Sequence, residues 1–412
     1  MFNSEVLFSD AFKGLKGNII RELYKWTTQP GFISFAGGNP DPVTFPNEQL
    51  AEIAHKLLME KGTQCLQYGV SNGVLPLREY IAEMMTNEGV PTKVENVVVT
   101  TGSQQTMDML SKALLNPGDT VLVESPTYVA ALKIFSIYGA NIVPVDGDEY
   151  GMVPESLEEK LNAGPVKMIY MIPNFQNPTG ITLPMERRKK IMEIVQKHNV
   201  VVIEDDPYGK LRFTGEPVPH MKTLDTEGQV VYFGSFSKII SPGLRVAFAV
   251  CDEKIAQKLV LAKQNNDMHT PNLNQLMVNE YCRNGLLEPH LVECNELYAK
   301  KRNMMLDMLG QHFPKEMMWT KPEGGLFLWS ELPKGYSSMR LLDYVLPAKV
   351  AYVPGESFFA DGRGIGTMRL NFANASLESM QVGMKLLGEQ VTRYLAEGVP
   401  GEHFSEVVEG KK

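Results

Sequence analysis

The sequence holds four cysteines in 412 residues, Cys65, Cys251, Cys282 and Cys294, with no C-x-x-C pair among them. Cysteines scattered through a chain this long read as reduced, buried thiols, which excludes a disulfide framework. Seven histidines are equally dispersed, none four residues from another, so no metal site is indicated. Positive charge is also short: 40 Lys and Arg against 48 Asp and Glu leave a net −8. That balance gives no electrostatic footprint for nucleic acid or an anionic membrane surface. No run reaches the roughly 18 apolar residues that cross a bilayer. The opening MFNSEVLFSDAFKG lacks a basic stretch followed by an apolar core, so no signal peptide is expected and the expected location is cytoplasmic. Internal repeats and low-complexity segments are missing too.

The composition, 43% hydrophobic and 21% charged with 35 Gly and 26 Pro, is that of a globular chain with a large core. Length favours two or three domains. Short β-branched runs recur at intervals that leave room for helices. They are Asn96–Thr101, Thr120–Glu124, Asn141–Val145, Lys167–Ile172, Val200–Asp205, Val230–Ser235 and Val246–Val250. Apolar runs without strict alternation suit strands buried on both faces of a mainly parallel sheet. Between them lie helical patterns such as Pro184–His198. There Ile191, Ile194 and Val195 share a face, while Arg187, Arg188, Lys189 and Lys190 read as solvated charge. Strands alternating with helices predict an α/β layer domain.

After Val250 the pattern changes. A long helix is expected from Leu286 to about Gln311, then strand-like Gly324–Leu332, Val350–Gly355 and Thr367–Ala373, then a helix over Leu377–Tyr394. This reads as a smaller α+β domain. Residues 1–45 read as an arm and lead-in, 46–285 as the large domain, and 286–412 as the linking helix and small domain. The polar end, Gly401–Lys412, is expected to be mobile.

Ligands of open α/β sheets sit outside the carboxyl ends of the strands, so the residues after each strand matter most. Thr101-Gly102-Ser103-Gln104 combines a tight-turn glycine with Ser103, which can cap the following helix; free N–H groups there would suit a phosphate, although an ordinary N-cap looks the same. Glu204-Asp205-Asp206 sets three acids at the end of an apolar strand, where an unpaired carboxylate is costly unless a cation such as a protonated pyridine meets it. Spacing does not say which acid faces inward, and a solvated strand end is the plain alternative. Lys238, in Ser235-Phe236-Ser237-Lys238-Ile239-Ile240, lies in apolar company, which lowers an amine's pKa as a Schiff-base lysine needs. Ser235 and Ser237 would share one side of extended backbone. Arg245, after Pro242-Gly243-Leu244, adds a cationic fork for phosphate. Asn177-Pro178-Thr179-Gly180 is a turn that follows a buried strand.

Together these stretches resemble the class I/II aminotransferases of pyridoxal-5'-phosphate (PLP) fold type I, in particular the α-aminoadipate/kynurenine aminotransferase branch. Ala36-Gly37-Gly38-Asn39-Pro40, Gln67-Tyr68-Gly69, Glu204 to Tyr208, Ser235 to Arg245, Pro322 to Trp329 and Met368-Arg369-Leu370-Asn371-Phe372 carry the likeness over most of the chain. The resemblance implies a seven-stranded, mainly parallel sheet, a smaller α+β domain and bound PLP. It implies that Lys238 holds the cofactor and moves the Cα proton, and that Asp205 pairs with the pyridine nitrogen. Asn177 and Tyr208 would meet the 3'-oxygen, and Tyr128 would stack on the ring. Gly102, Ser103, Gln104, Ser235, Ser237 and Arg245 would hold the phosphate, with Tyr68 reaching it from the other subunit of a homodimer. Arg369 would bind the substrate α-carboxylate beside Asn177, and local pattern agrees: Met368, Leu370 and Phe372 share one strand face and leave Arg369 on the other. Gly38 and Arg21 match positions that shape or close the substrate pocket; Arg21 reads equally well as an amphipathic-helix surface residue. One departure is Ala247, where the family usually has glycine.

The reaction implied is ping-pong transfer of an amino group from an L-amino acid to a 2-oxo acid, commonly 2-oxoglutarate. A PLP lyase or decarboxylase would share nearly the same cofactor residues. A PLP-sensing regulator is the other reading, but the expected helix-turn-helix domain has no counterpart in this acidic sequence, whose aminotransferase-like part begins within 40 residues.

Overall fold

The computed structural model describes residues 2–13, 19–398 and 405, the side chains of Ile20 and Arg21 apart. The side-chain role expected of Arg21, and the mobility expected of the segment 401–412 other than Ser405, lie outside the described residues.

In chain order the strands are β1 (Ile33–Ser34), β2 (Val97–Thr100), β3 (Thr120–Ser125), β4 (Asn141–Asp148), β5 (Gly151–Met152), β6 (Met168–Met171) and β7 (Val201–Asp206). They continue as β8 (Val230–Ser235), β9 (Ala247–Val250), β10 (Met318–Trp319), β11 (Phe327–Glu331), β12 (Val350–Ala351), β13 (Val353–Pro354) and β14 (Thr367–Asn371). The main sheet has the order β2-β9-β8-β7-β6-β3-β4-β5. Its neighbours from β8 through β4 are parallel, while β9 runs against both β8 and β2. All seven expected runs are strands of this sheet. The eighth, β5, is a two-residue return that pairs antiparallel with Gly147 and Asp148. Its turn needs Gly151 at φ +90 and is held by Tyr150 N–H donating to Asp148 Oδ1 at 2.8 Å.

Strand side chains alternate between two cores because the pleat has period two. Met168 and Tyr170 of β6 join one cluster, while Ile169 and Met171 join the other. Helices Pro154–Ala163 and Met185–Val195 cover the second face through Leu157, Leu161, Ile191, Met192, Ile194 and Val195. Pro184 is the N-cap residue of the latter helix rather than part of its first turn.

One expectation fails on that helix: Arg188 is fully buried, not solvated. Its guanidinium donates to the carbonyls of Leu183, Pro173 and Pro219 and to Asn174 Oδ1. A planar fork with five donors satisfies several loop carbonyls at once, which makes burial of this cation tolerable.

The second unit follows helix Leu287–His312, which packs on the terminal helix Leu377–Ala396. Its sheet has the order β10-β11-β14-β13 and is antiparallel throughout. Strand β1 pairs in parallel with β12, so the lead-in segment is tied to this unit. Between β3 and β6 the chain leaves in opposite directions, toward β4 and toward β7. Such a switch point opens a crevice at the carboxyl ends of the strands.

Candidate active site

A cavity of about 630 Å³ lies at those ends. It gathers Gly38, Ser103, Gln104, Tyr128, Asn177, Asp205, Tyr208, Ser235, Ser237, Lys238, Arg245 and Arg369 from segments far apart in sequence.

At the end of β2, Gly102 takes φ +94 and ψ 151. That φ favours glycine, and a Cβ there would lie 2.1 Å from Arg245 Nη2. Gly102, not Ser103, is the N-cap residue, and no side chain caps the helix Ser103–Leu114. The expected Ser103 cap is therefore corrected: Ser103 is already helical, because the turn is made by a residue without a side chain. Its open N–H groups face a cavity that also holds Arg245. Arg245 sits at φ +55 and donates from Nη2 to Thr101 O at 3.1 Å.

The three acids at the end of β7 are all buried, and the pleat separates them. Glu204 accepts from the backbone N–H of Met221 at 2.7 Å and of Lys222 at 2.9 Å. Asp206 accepts from Gly209 N–H at 2.9 Å and from the Tyr232 hydroxyl at 3.2 Å. Asp205 alone of the three lines the cavity. Its Oδ2 accepts from the Tyr170 hydroxyl at 2.8 Å, and its buried Oδ1 has no partner among the described residues. Burial pushes the Asp205 carboxyl up to about 7, against the lowering effect of the Tyr170 hydrogen bond.

Lys238 donates to Gly38 O at 2.8 Å. Burial, with Arg369 and Arg245 nearby, pulls its amine down to about 8. On the opposite wall Arg369 is buried; it donates to Asn177 Oδ1 at 2.9 Å and to Ala36 O at 2.8 Å. Its guanidinium lies over the Phe327 ring at 4.3 Å and the Phe358 ring at 5.1 Å. That burial is incompatible with an exposed surface arginine. Tyr208 meets Phe327 edge-on at 5.7 Å. Gly38 has room, since a Cβ there would meet only Phe327 Cζ at 3.8 Å. Tyr68 is not in the cavity: it is 78% exposed, with its ring against His269.

Three contributors escaped sequence reasoning. Tyr170, in an apolar strand, looked like core. Gln176 braces the Asn177 turn by accepting from Thr179 N–H at 2.9 Å and donating to Pro126 O at 2.7 Å. Glu124, buried at the end of β3, accepts from Ile172 N–H at 2.8 Å and from Gln176 at 3.4 Å. Only the acid ending an apolar run, as in Glu204 to Asp206, hinted at Glu124.

The residues fit PLP. An unpartnered buried carboxylate oxygen suits a protonated ring nitrogen, a depressed lysine amine suits an aldehyde, and the uncapped helix start beside Arg245 suits a phosphate.

Residues 31–387 match the family Aminotransferase class I and II. An aromatic-amino-acid aminotransferase of Thermococcus litoralis is 40% identical over 393 residues, covering 94% of each chain. A 2-aminoadipate transaminase of Thermus thermophilus is 42% identical over 396 residues, covering 94% of this chain and 98% of the relative. The crystal structure of Pyrococcus horikoshii kynurenine aminotransferase, solved with pyridoxamine phosphate (PMP), superposes with a TM-score of 0.92 at 39% identity, over 95% of this chain and 98% of that one. With the cavity and these relatives in agreement, the chain belongs to the class I and II aminotransferases and is a PLP-dependent transaminase of fold type I.

Proposed function

We propose that this transaminase takes L-amino acids with long side chains, aromatic ones included, and passes the amino group to 2-oxoglutarate in a ping-pong cycle. The observation that carries the reading is one cavity holding the Lys238 amine, the free Asp205 oxygen and the Arg369 fork. Its lining supports the donor class: Met107, Val129, Ile134 and Ile137 give apolar surface for a side chain. Relatives named for aromatic amino acids, 2-aminoadipate and kynurenine support it as well.

Arg369 would grip the α-carboxylate with two parallel N–H donors, fixing the substrate's orientation. Lys238, partly neutral near pH 8, would take the Cα proton and return it two bonds away, to the carbon that accepts the amine. When bound, PLP supplies the aldehyde carbon that accepts the amine and the ring that takes up the electron pair left at Cα. Asp205 would hold the ring nitrogen, Asn177 and Tyr208 the 3'-oxygen, and Tyr128 the ring face. Gly102, Ser103, Gln104, Ser235, Ser237 and Arg245 would hold the phosphate.

The chain would act as a cytoplasmic homodimer, with Tyr68 entering the partner's site. Exposed Met59, Leu66, Tyr68, Val70 and Leu75, close together in sequence, support that assembly, because exposed apolar surface marks interfaces. Among the described residues no helix is long and apolar enough to cross a membrane. A domain division at residue 285 is supported by the eight-stranded sheet before it and the four-stranded sheet after it. Steady-state rates with a panel of L-amino acids and 2-oxoglutarate test the substrate reading. Turnover confined to small donors, or none with 2-oxoglutarate, would overturn it. Sedimentation at the mass of one chain would overturn the dimer.

A further inference from the structure

Tyr170 sits in β6, fully buried, between β3 and β7. Its hydroxyl makes the one side-chain hydrogen bond that Asp205 receives among the described residues. An edge contact with Phe135, 5.9 Å between ring centres, fixes the phenol in place. Burial and the neighbouring Asp205 charge keep its O–H well above the usual phenol range, so it remains a donor. The other groups around Asp205 come from every flanking segment: Glu124 ends β3, Tyr128 follows it, Asp206 shares its strand, and Tyr208, Lys238 and Arg369 line the cavity. Burial and Asp206 both work against a charged Asp205, and Tyr170 is the donor that favours it.

We propose that Tyr170 is a positioning residue for the cofactor: by holding Asp205 Oδ2 it leaves Oδ1 free for the ring nitrogen and keeps the carboxylate an acceptor. This rests on the reading that Asp205 pairs with that nitrogen. A core tyrosine that needed any acceptor would pack the same way. The two roles differ in what they do to the bound cofactor.

Tyr170→Phe removes the donor and keeps the ring and its contact with Phe135. Loss of a hydrogen bond to a charged group raises the carboxyl pKa by about one unit, so PLP binding at pH 7 weakens about tenfold. A more basic carboxylate also draws the shared proton from the ring. The less positive ring makes the lysine-linked cofactor more basic, and its visible absorbance transition moves to higher pH. Both are read by titrating the purified protein with PLP and then following the bound cofactor's spectrum against pH, with Asp205→Asn alongside. A lowered melting temperature with both cofactor readouts unmoved makes Tyr170 a packing residue and overturns the inference. If Tyr170→Phe binds as wild type while Asp205→Asn is strongly weakened, this inference fails and the Asp205 reading stands. If Asp205→Asn also binds as wild type, the reading beneath fails and takes this inference with it.

Discussion

Replacing Gly102 with alanine tests the phosphate end of the site through backbone geometry alone. At φ +94 and ψ 151 an L residue is strained by about 1–3 kcal/mol. The new Cβ would also stand 2.1 Å from Arg245 Nη2 and 2.8 Å from its Cζ. The guanidinium is the far end of a flexible side chain, so it would swing aside and give up its bond to Thr101 O. If Arg245 holds the phosphate, the cofactor loses a charge-assisted hydrogen bond of roughly 1.5–3 kcal/mol, which weakens PLP binding about tenfold to a hundredfold. Fluorescence titration of cofactor-free Gly102→Ala with PLP gives the Kd, and urea unfolding of the same sample separates out the strain. A stability loss with an unchanged Kd would refute the argument, because Arg245 would then have moved without consequence for the phosphate.

Arg369→Lys keeps the charge but loses the planar fork, so the donor KM should rise about tenfold or more while PLP affinity holds; steady-state kinetics and PLP titration check this. Arg188→Met leaves four buried acceptors unmatched and should cost roughly 3 kcal/mol or more in urea unfolding, despite the similar apolar bulk. The Lys238 amine must be neutral to attack an aldehyde, and its pKa is pulled down to about 8. Stopped-flow loading of cofactor-free protein should therefore slow about tenfold per pH unit below 8 and level off above it. A rate that keeps rising toward the ordinary lysine range, above 10, would contradict the depressed amine.

The main sheet was legible because strands such as β2, β6, β8 and β9 are short runs between helical patterns that are buried along their whole length, and burial on both faces leaves no other way to pack them. The residues that the cavity gathers were legible for a related reason. Polar groups such as Lys238 and Asp205 stand out where they end apolar strands. What depended on the pleat was not legible: only the register of β7 shows that Asp205 turns away from Glu204 and Asp206. Tyr170 was hidden because a tyrosine inside Met168–Met171 looks like core, and its hydroxyl acts across a strand boundary. Arg188 was misread because the three carbonyls that satisfy it, of Leu183, Pro173 and Pro219, come from loops that only the tertiary fold brings together. The hairpin at β5 and the N-cap at Gly102 turn on positive φ values, which glycine permits without announcing.

Transamination through Lys238 can be read from a single-turnover spectrum. PLP-loaded protein is mixed with one L-amino acid at a time, with no 2-oxo acid present. The lysine-bound cofactor band should convert to that of pyridoxamine phosphate, with one equivalent of the matching 2-oxo acid by mass spectrometry. Lys238→Ala should give neither. Release of ammonia or carbon dioxide without pyridoxamine phosphate, or turnover that survives Lys238→Ala, would contradict transamination through Lys238.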